Sequence, residues 1–330
     1  MHLELIAPLL AAALFGLVSG FNDGGNLMGS FTAGRVITPR VASVLLLFAL
    51  AGPLLLGTAV AETIGSKVID LRGQGPVGFT IIAVSPLCVV LMSWRYGIPT
   101  SMTLALVGAM AGWVLSVGGE HSLQLGGVAR VLLGIPISVL GGGLLALLVY
   151  GSIRRFLGTQ PHARLLEVAR LQVFAAAMQA FAYGANDMEK SIGLIGVGFS
   201  FSTHNLPLTF VRFAPIIAAF CFFLVGALAG GRRVANRIGH GVLKVRPMQA
   251  LSQQVSSATV VSVLALAGVP VSMTQTIDGG LVGVGAAQRA SSIRWGIVRE
   301  LLGSWLLTLP LAVLLAGGLH LLVRALGWAP

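Results

Sequence analysis

Residues 183–190, with the sequence YGANDMEK, place an amide, a carboxylate and an ammonium group (Asn186, Asp187 and Lys190) inside an otherwise apolar segment. A charged side chain in the hydrocarbon core of a membrane is costly, and such residues usually mark an ion or substrate path. A related stretch, residues 20–26 with the sequence GFNDGGN, lies 164 residues earlier. The chain therefore carries one polar element twice, about half its length apart.

The composition is that of a polytopic membrane protein. Of the 330 residues, 56% are hydrophobic and only 9% are charged, and the mean hydropathy is +0.92. A soluble domain has about 25% charged residues. Five apolar runs are long enough, or nearly so, to cross a bilayer core of roughly 30 Å as helices, and the alternation typical of β-barrels is absent. These runs are residues 41–61, 77–92, 128–150, 213–230 and 301–323.

A second pair of matching motifs interrupts two further apolar stretches. Residues 99–103 read PTSMT and residues 270–274 read PVSMT, at an offset of 171. The residue before a proline disfavours helical backbone, so we expect the first stretch to break near Ile98, with Pro99 opening the next helix, and the second stretch to break at residues 268–270. Thr100 and Ser101 are the expected caps at the first break. Two motifs that repeat in the same order at similar offsets indicate an internal duplication.

These patterns predict an all-α polytopic membrane protein built of two inverted repeats, with broken helices and helical hairpins near the membrane midplane. Residues 1–150 form the first predicted repeat, residues 151–164 a basic cytoplasmic linker, and residues 165–330 the second repeat. Each repeat holds a motif helix, a span, a broken pair and a final span. The broken pair, meaning the two apolar segments on either side of a proline motif, returns to the side of the membrane on which it starts. Each repeat therefore crosses the membrane an odd number of times, and the two repeats are inverted relative to each other.

Two details of the motif helices are also predicted. The first motif helix, over residues 5–33, is expected to break at residues 20–26, whereas the second motif lies within a helix over residues 165–199. The sequence leaves open whether the broken pairs cross the membrane or re-enter it.

The distribution of positive charge predicts the orientation. If each repeat crosses the membrane an odd number of times, 14 of the 21 Lys and Arg residues lie on one side of the membrane and 5 lie on the other. Lys and Arg concentrate in cytoplasmic loops, so both termini should lie outside a cell (plasma or inner) membrane, and the net charge of +11 does not indicate nucleic-acid binding. The cytoplasmic set is Arg35, Arg40, Arg154, Arg155, Arg164, Arg170, Arg232, Arg233, Arg237, Lys244, Arg246, Arg289, Arg294 and Arg299.

The duplicated hairpin motif suits an oxyanion. Inverted repeats with interrupted helices are typical of secondary transporters. The N-termini of half-helices carry free N–H groups and partial positive charge, which favour an anion. The candidate substrate-binding residues are Thr100, Ser101, Thr103, Ser272, Thr274 and Gln275, together with Asn22 and Asn186.

The duplicated acidic motif suits a coupling cation. Asp23 and Asp187 would repel an anion strongly in a low dielectric unless a cation binds between them. Asp23, Asn26 and Asp187 offer oxygen ligands for Na⁺, if Na⁺ is used, or a site for H⁺. Lys190 aligns with Asn26 and lies three residues after Asp187, so the two can pair. We interpret Lys190 as a tethered cation that replaces one coupling ion, with direct substrate contact and a purely structural pairing as the open alternatives.

Taken in order, these motifs resemble the inorganic phosphate transporter family. The resemblance is carried by the Gly-x-Asn-Asp elements at residues 20–23 and 184–187, by residues 52–70, by the repeated Pro-x-Ser-x-Thr, and by WLLTLP at residues 305–310. It covers nearly the whole chain and implies uptake of phosphate with Na⁺ or H⁺, a site between the repeats and a possible homodimer.

The chain departs from the family pattern at a few positions. Many members have His after the Ser/Thr pair, where this chain has Leu104 and Gln275, so the resemblance does not carry over a His-linked proton step. Lys190 is similar to the residue of a bacterial branch coupled to protons or metal phosphate.

The predicted function is a cation-coupled (H⁺ or Na⁺) phosphate symporter that works by alternating access, with no cofactor and no enzymatic activity. A permease for sulfate or another tetrahedral oxyanion is the alternative on the same fold. An intramembrane aspartyl hydrolase would need Asp23 and Asp187 to face each other, and a passive channel would need no interior acids. Some of these residues also have a purely structural interpretation. Asn22 and Asn186 can form hydrogen bonds between helices, Glu62 and Asp278 can be interface or supporting groups, and the glycines can be packing contacts.

Overall fold

The computed structural model describes residues 2–95, 100–157, 165–202, 208–238 and 245–327, which are largely helical and contain no strand. The helices of the first half are α1 (His2–Ser19), α2 (Gly25–Ala33), α3 (Pro39–Leu45), α4 (Ala51–Leu56), α5 (Ala59–Glu62), α6 (Gly75–Arg95), α7 (Met102–Val117) and α8 (Leu125–Leu157). Those of the second half are α9 (Leu165–Tyr183), α10 (Glu189–Ser202), α11 (Leu208–Ile238), α12 (Pro247–Leu266), α13 (Met273–Gln288) and α14 (Trp295–Ala325).

Five segments of the described chain are long and apolar enough to cross a membrane, which confirms the predicted all-α polytopic class. Helices α7 and α11 contribute further apolar segments that are shorter. The second span ends at Leu56, earlier than the predicted residue 61, because Gly57 adopts a φ of 89° and turns the chain. The five segments are Ile6–Ala33, Pro39–Leu56, Ala59–Arg95, Leu125–Phe156 and Trp295–Ala325.

Both acidic motifs lie in π-turns. Gly20–Gly24 joins α1 to α2, and Gly184–Met188 joins α9 to α10, with helical backbone on either side. The predicted break at residues 20–26 is therefore wrong, because a single wider turn accommodates the polar residues without interrupting the helix. Such π-turns are rare and often occur at functional sites.

The true interruptions lie at the hairpin motifs. In the second hairpin, α12 ends at Leu266 and α13 begins at Met273, after a non-helical link that contains Pro270. Ser272 is the N-cap of α13 and Ser101 the N-cap of α7, so of the two predicted caps at the first break Ser101 is confirmed. A serine in extended backbone can cap with its hydroxyl, which a proline cannot. Pro99 lies outside the described residues.

The two motif helices run antiparallel, which confirms the inversion. Along α1 and α2, a Cβ on Gly16 would meet Ser191, Ser19 bonds Tyr183, and Ser30 donates to Gln179. The residue number of the contact partner in the second repeat falls as the residue number in the first repeat rises. The repeats are therefore related by a two-fold axis that reverses chain direction, as in transporters built of inverted repeats.

Close backbone approaches follow this symmetry and connect opposite repeats. A Cβ on Gly20 would come closer than 3.0 Å to the backbone of Phe223, and one on Gly184 would do the same at Ala49. Gly20 and Gly184 are equivalent positions of the two motifs, and each packs on a span of the other repeat. Small residues allow helices in a membrane to approach in this way.

The hairpins and the final spans also pack against helices of the opposite repeat. Gly112 of α7 packs on Val313 of α14, and Gly283 of α13 packs on Gly143 of α8, in each case against backbone. Every motif helix and hairpin thus rests on a helix of the other repeat. The two halves form one interlocked unit, and the boundary at residues 151–164 stays a prediction, in part because residues 158–164 lie outside the described chain.

We predict that Gly112→Ala destabilises the protein, whereas Gly318→Ala does not. The new methyl group at position 112 would meet the backbone of Val313, and overpacking of this kind costs about 1–3 kcal/mol. A Cβ on Gly318 of α14 meets nothing within 4 Å. Thermal unfolding of the purified variants in detergent measures the difference, and equal midpoints for the two would contradict the packing described.

Candidate functional site

Asp23 of the first π-turn accepts hydrogen bonds from both repeats. Ser19 donates to its Oδ2 at 3.2 Å, and the Nδ2 of Asn22 donates to its Oδ1 at 2.8 Å. From the second repeat, the Oγ1 of Thr274 donates to Oδ1 at 3.2 Å. The carboxylate is buried, so these donors stand in place of water.

Asn186 of the second π-turn holds the interruption of the second hairpin. Its Nδ2 donates to the carbonyl oxygen of Val269 at 2.9 Å, and its Oδ1 accepts from the N–H of Val271 at 2.9 Å. These two bonds satisfy backbone groups that the interrupted helix leaves without partners. The contacts show how Asn186 positions the hairpin, and its predicted role in substrate binding stays a prediction.

Asp187 and Lys190 form a buried ion pair at the same hairpin. The Nζ of Lys190 lies 2.8 Å from the Oδ1 of Asp187 and also donates to the carbonyl oxygen of Val271. The Oδ2 of Asp187 accepts from the N–H of Met273 at 3.0 Å, at the first residue of α13. The predicted pairing of Asp187 with Lys190 is therefore present, and it lies against the N-terminus of α13.

The two acidic motifs converge on consecutive residues of α13. Asp187 bonds the backbone of Met273, while Asp23 and Asn26 bond the side chain of Thr274, with 2.7 Å between the Nδ2 of Asn26 and the Thr274 Oγ1. The sequence places these groups 164 residues apart, and the fold places them on either side of one helix start. The acids do not lie on opposite surfaces of the protein.

The two capping serines occupy equivalent positions. The Oγ of Ser101 accepts from the N–H of Leu104 at 3.3 Å, and the Oγ of Ser272 accepts from the N–H of Gln275 at 3.5 Å. Each hydroxyl keeps its own proton free for donation. Both serines are buried and can still donate to a ligand.

Thr103 joins the tips of the two hairpins. Its Oγ1 donates to the carbonyl oxygen of Val271 at 3.0 Å, across the repeat interface. On the other side of the first hairpin, the Nδ2 of Asn22 lies 3.5 Å from the carbonyl oxygen of Thr100. The predicted hydroxyl groups of the first hairpin thus lie beside both acidic motifs.

Several buried polar atoms near these motifs have no hydrogen-bond partner among the described residues. They are the Oδ1 of Asn26, the Oγ1 of Thr100 and both side-chain polar atoms of Gln275. A buried polar atom without a partner costs about 1–3 kcal/mol, and most are paired in native structures. All three residues belong to the predicted site, so a ligand that bonds them would remove this cost.

The arrangement offers two kinds of binding group side by side. Asp23, the Oδ1 of Asn26 and the hydroxyl of Thr274 are oxygen ligands that suit a small cation. Thr100, Ser101, Ser272 and the amide of Gln275 are donors that suit an oxyanion at the N-termini of α7 and α13. No group of three or more His, Cys, Asp or Glu side chains fit to hold a metal occurs in the described chain, so a cation would rely on amide and hydroxyl oxygens as well.

A buried cluster beside the site is absent from the sequence-based candidates. The Oγ of Ser30 bonds the Oε1 of Gln179 at 2.9 Å and the Oε1 of Gln253 at 2.8 Å, and the Nε2 of Gln179 donates to Ser257 at 2.7 Å. Gln254 donates to the backbone of Ser30 at 3.0 Å. These residues, here called the glutamine cluster, connect the central site to the ends of α2, α9 and α12 that are predicted to be cytoplasmic.

Glu189 and Glu62 have structural contacts. The Oε2 of Glu189 accepts from the N–H groups of Val60 at 2.8 Å and Ala61 at 3.1 Å, which fastens the second motif to α5 of the first repeat. Glu62 is exposed and pairs with Lys67 at 3.0 Å. The contact of Glu189 could not be predicted from the sequence, because nothing local points to residues 60–61.

Comparison with known proteins identifies the family. The sequence profile described as "Phosphate transporter family" matches residues 19–169 and 158–316, which together cover most of the chain. This chain belongs to the phosphate transporter family. The resemblance predicted from the motifs is therefore confirmed.

The family assignment is supported by relatives of similar length. A probable low-affinity inorganic phosphate transporter of Rhizobium meliloti (strain 1021) is 31% identical over 316 residues, 94% of each chain. The protein of the same description from Bacillus subtilis (strain 168) is 26% identical over 318 residues, again 94% of each. Members of the family are transporters, which fits the prediction that the chain is not an enzyme.

A solved structure shares the fold. The chain described as "The sodium-dependent phosphate transporter" superposes with a TM-score of 0.79 over 98% of this chain and 99% of that one, at 19% sequence identity. At this identity the likeness speaks for the fold alone. It supports the arrangement of two repeats and leaves the coupling ion open.

We predict that Thr274→Val lowers phosphate uptake ten- to a hundredfold. The substitution keeps the side-chain shape but leaves Asp23 and Asn26 each without one buried hydrogen bond, a cost of about 1–3 kcal/mol. Thr259→Val is the matched control, because Thr259 is exposed on α12 and bonds only the backbone of its own helix. Initial uptake of labelled phosphate into proteoliposomes measures the effect; equal loss in both variants would remove Thr274 from the site.

Proposed function

We propose that this member of the phosphate transporter family is a cation-coupled phosphate symporter that works by alternating access in the cell membrane, with both termini outside. The observation that carries the proposal is the convergence of Asp23 and Asp187 with oxyanion donors on the first residues of α13. Carboxylates and an anion share one closed pocket only if a cation enters with the anion. Binding of either ligand then favours the other.

The balance of charge supports cation coupling. Asp23, Asp187 and Glu189 are buried around the central site, and Lys190 is the buried ammonium among them. A phosphate added to this set would raise the negative charge further, at a cost that is large in a low dielectric. One or more cations that travel with the phosphate offset this repulsion.

The candidate cation site lies at the motif of the first repeat, where Thr274 of the second repeat reaches it. Asp23 presents a carboxylate, Asn26 an Oδ1 with no partner among the described residues, and Thr274 a hydroxyl oxygen. The second repeat has no equivalent opening, because Lys190 already lies on Asp187 and on the carbonyl of Val271. These are two oxygen atoms that a bound Na⁺ would otherwise use.

Lys190 therefore acts, in this proposal, as a tethered cation. Its ammonium supplies the charge that a second coupling ion would bring, so the chain needs one fewer mobile ion per phosphate. The related solved structure is described as sodium-dependent, which favours Na⁺ as one candidate for the mobile ion, with H⁺ as the other.

The alternative functions receive less support. A sulfate permease would use the same donors, but sulfate carries no proton at neutral pH and so has none to donate to a neighbouring carboxylate such as Asp23, as a protonated phosphate oxygen can. An aspartyl hydrolase needs two carboxylates that share a proton. Asp23 and Asp187 bond different residues, and no hydrogen bond between them is present in the described part of the protein.

The proposed function predicts accumulation of phosphate against its gradient. Purified protein in liposomes should concentrate labelled phosphate, and labelled sulfate poorly, when a Na⁺ or an H⁺ gradient is imposed separately. Asp23→Asn should abolish accumulation, because the amide removes the charge that attracts the cation, whereas Asp70→Asn in an exposed loop should retain it. Equilibration without accumulation in wild type would indicate a passive channel, and preferred accumulation of sulfate would indicate the other permease.

The tethered-cation role predicts a change of stoichiometry. Lys190→Asn copies the residue found at the equivalent position of the first repeat and opens the oxygens of Asp187 and Val271 to a mobile ion. We expect one additional coupling ion per phosphate, measured as the ratio of labelled ion to labelled phosphate taken up. Lys190→Arg, which keeps the fixed charge, is the control. An unchanged ratio in Lys190→Asn would contradict the role.

A further inference from the structure

Asp278 is a buried carboxylate that the proposed mechanism has not used. It lies on α13, four residues after Thr274, and is 5% exposed. Residues four apart lie on the same face of a helix, about 6 Å apart along its axis. Asp278 therefore follows Thr274 by one turn, in the direction of the helix end that is predicted to be cytoplasmic.

Asp278 differs from the other buried acids in its contacts. Asp23, Asp187 and Glu189 each accept two or more hydrogen bonds. Among the described residues, none donates a hydrogen bond to Asp278 and none forms an ion pair with it. A buried carboxylate without a donor or a cation is unfavourable in its ionised form by far more than a paired one.

The helices that pack against α13 provide no positive charge that would stabilise the ionised carboxylate of Asp278. Helix α13 packs against α8, α12 and α2. Helices α2 and α12 contain no ionisable side chain, and the ionisable residues of α8 lie near its ends. Gly279 and Gly283 face α8, so Asp278 lies on a different face of α13, the one that carries Thr274. The charged groups nearest along that face are those around Asp23.

The position is specific to the second repeat. The equivalent residue of the first hairpin, at the offset of 171, is Val107, which is buried in the apolar core. The fold therefore accepts an aliphatic side chain at this place, and the carboxyl group of Asp278 is not a requirement of the hairpin. A buried carboxyl group is energetically costly in a membrane protein, and because the packing does not require it here, a role in transport is indicated.

Asp278 follows the polar end of α13 on the same face. Thr274 and Gln275 precede it by four and three positions, and both side-chain polar atoms of Gln275 are unpaired among the described residues. The carboxyl group thus lies about one turn beyond the central site, in the direction of the predicted cytoplasmic side.

We propose that Asp278 binds the coupling proton, a role that rests on the proposed function. In the closed state, the carboxyl group carries a proton and is neutral, so its burial is tolerated. In the outward-open state the carboxylate takes a proton from the outer solution, and only then can the site close around phosphate. When α13 is exposed to water on the predicted cytoplasmic side, the proton leaves to water with the phosphate. The empty protein returns with the carboxylate ionised and hydrated in the space that the phosphate leaves, so one proton crosses with each phosphate.

A comparison of accumulation with exchange tests the role. In proteoliposomes with equal Na⁺ on both sides and an alkaline interior, wild type should accumulate labelled phosphate, and Asp278→Asn should accumulate at least tenfold less. The amide is always neutral, so closure no longer needs a proton. The rate at which Asp278→Asn exchanges internal for external phosphate at equal pH should stay within twofold of the wild-type rate, because exchange needs no net proton movement.

Two further variants complete the test. Asp278→Glu keeps the carboxyl group and should restore accumulation, and Asp70→Asn, an exposed acid outside the site, should behave as wild type. If Asp278→Asn does not yield a monodisperse protein, Asp278→Val, which copies Val107, takes its place in the same two assays.

The outcomes separate this inference from the proposed function. Full accumulation by Asp278→Asn, or equal loss of accumulation and exchange in a monodisperse variant, would overturn the role of Asp278. Accumulation by wild type that depends on Na⁺ and not on the pH gradient would also overturn it, while leaving the symporter intact. No accumulation by wild type under either gradient would remove the proposed function itself.

Discussion

The structure depends on one contact region, the link and first turn of α13 at residues 271–274. Asn186 and Lys190 bond the backbone of Val271, and Asp187 bonds that of Met273. From the other repeat, Asp23 reaches the side chain of Thr274. An interrupted helix inside a membrane must satisfy its free backbone groups within the protein. Here the side chains that do so also form the candidate ion site, so the architecture and the chemistry cannot be separated.

This region is where the two-fold symmetry ends. The backbone packing of the glycines is repeated in both halves, but the contacts of the two aspartates are not. Asp187 accepts from the N–H of Met273 in the hairpin of its own repeat, whereas Asp23 bonds Asn22 and also Thr274 of the other repeat. Among the described residues, unpaired polar atoms remain at Asn26 of the first motif and at Thr100 of the first hairpin. In the proposed function, this asymmetric site on a symmetric scaffold offers one place for a mobile cation, and Lys190 takes the place of the other.

The sequence was sufficient for the class of fold and the duplication, because those rest on apolar runs and repeated motifs. The fold brings several of the predicted site residues together, and their roles stay a prediction. It was insufficient where packing across the chain decides. The π-turns cannot be distinguished from breaks by residue type, and the capping role of Ser272 depends on the path that follows Pro270. The glutamine cluster had a signal, since its member Gln179 lies seven residues after Gln172, another buried glutamine on the same face of α9. Its meaning required the partners on α2 and α12, which are remote in sequence.

The glutamine cluster also gives the two sides of the site a different character. The positions equivalent to Ser30, Gln179 and Gln253 in the opposite repeat are Leu194, Phe15 and Ile82, all part of the buried apolar core. Opening the polar side exchanges hydrogen bonds within the protein for bonds to water, at a net cost of about 0.5–1.5 kcal/mol each. Opening the other side exposes apolar surface at about 25 cal/mol per Å². Two inverted repeats of equal sequence would open equally in both directions. The polar residues of the glutamine cluster favour hydration toward the predicted cytoplasmic side, whereas the equivalent places in the other half are apolar.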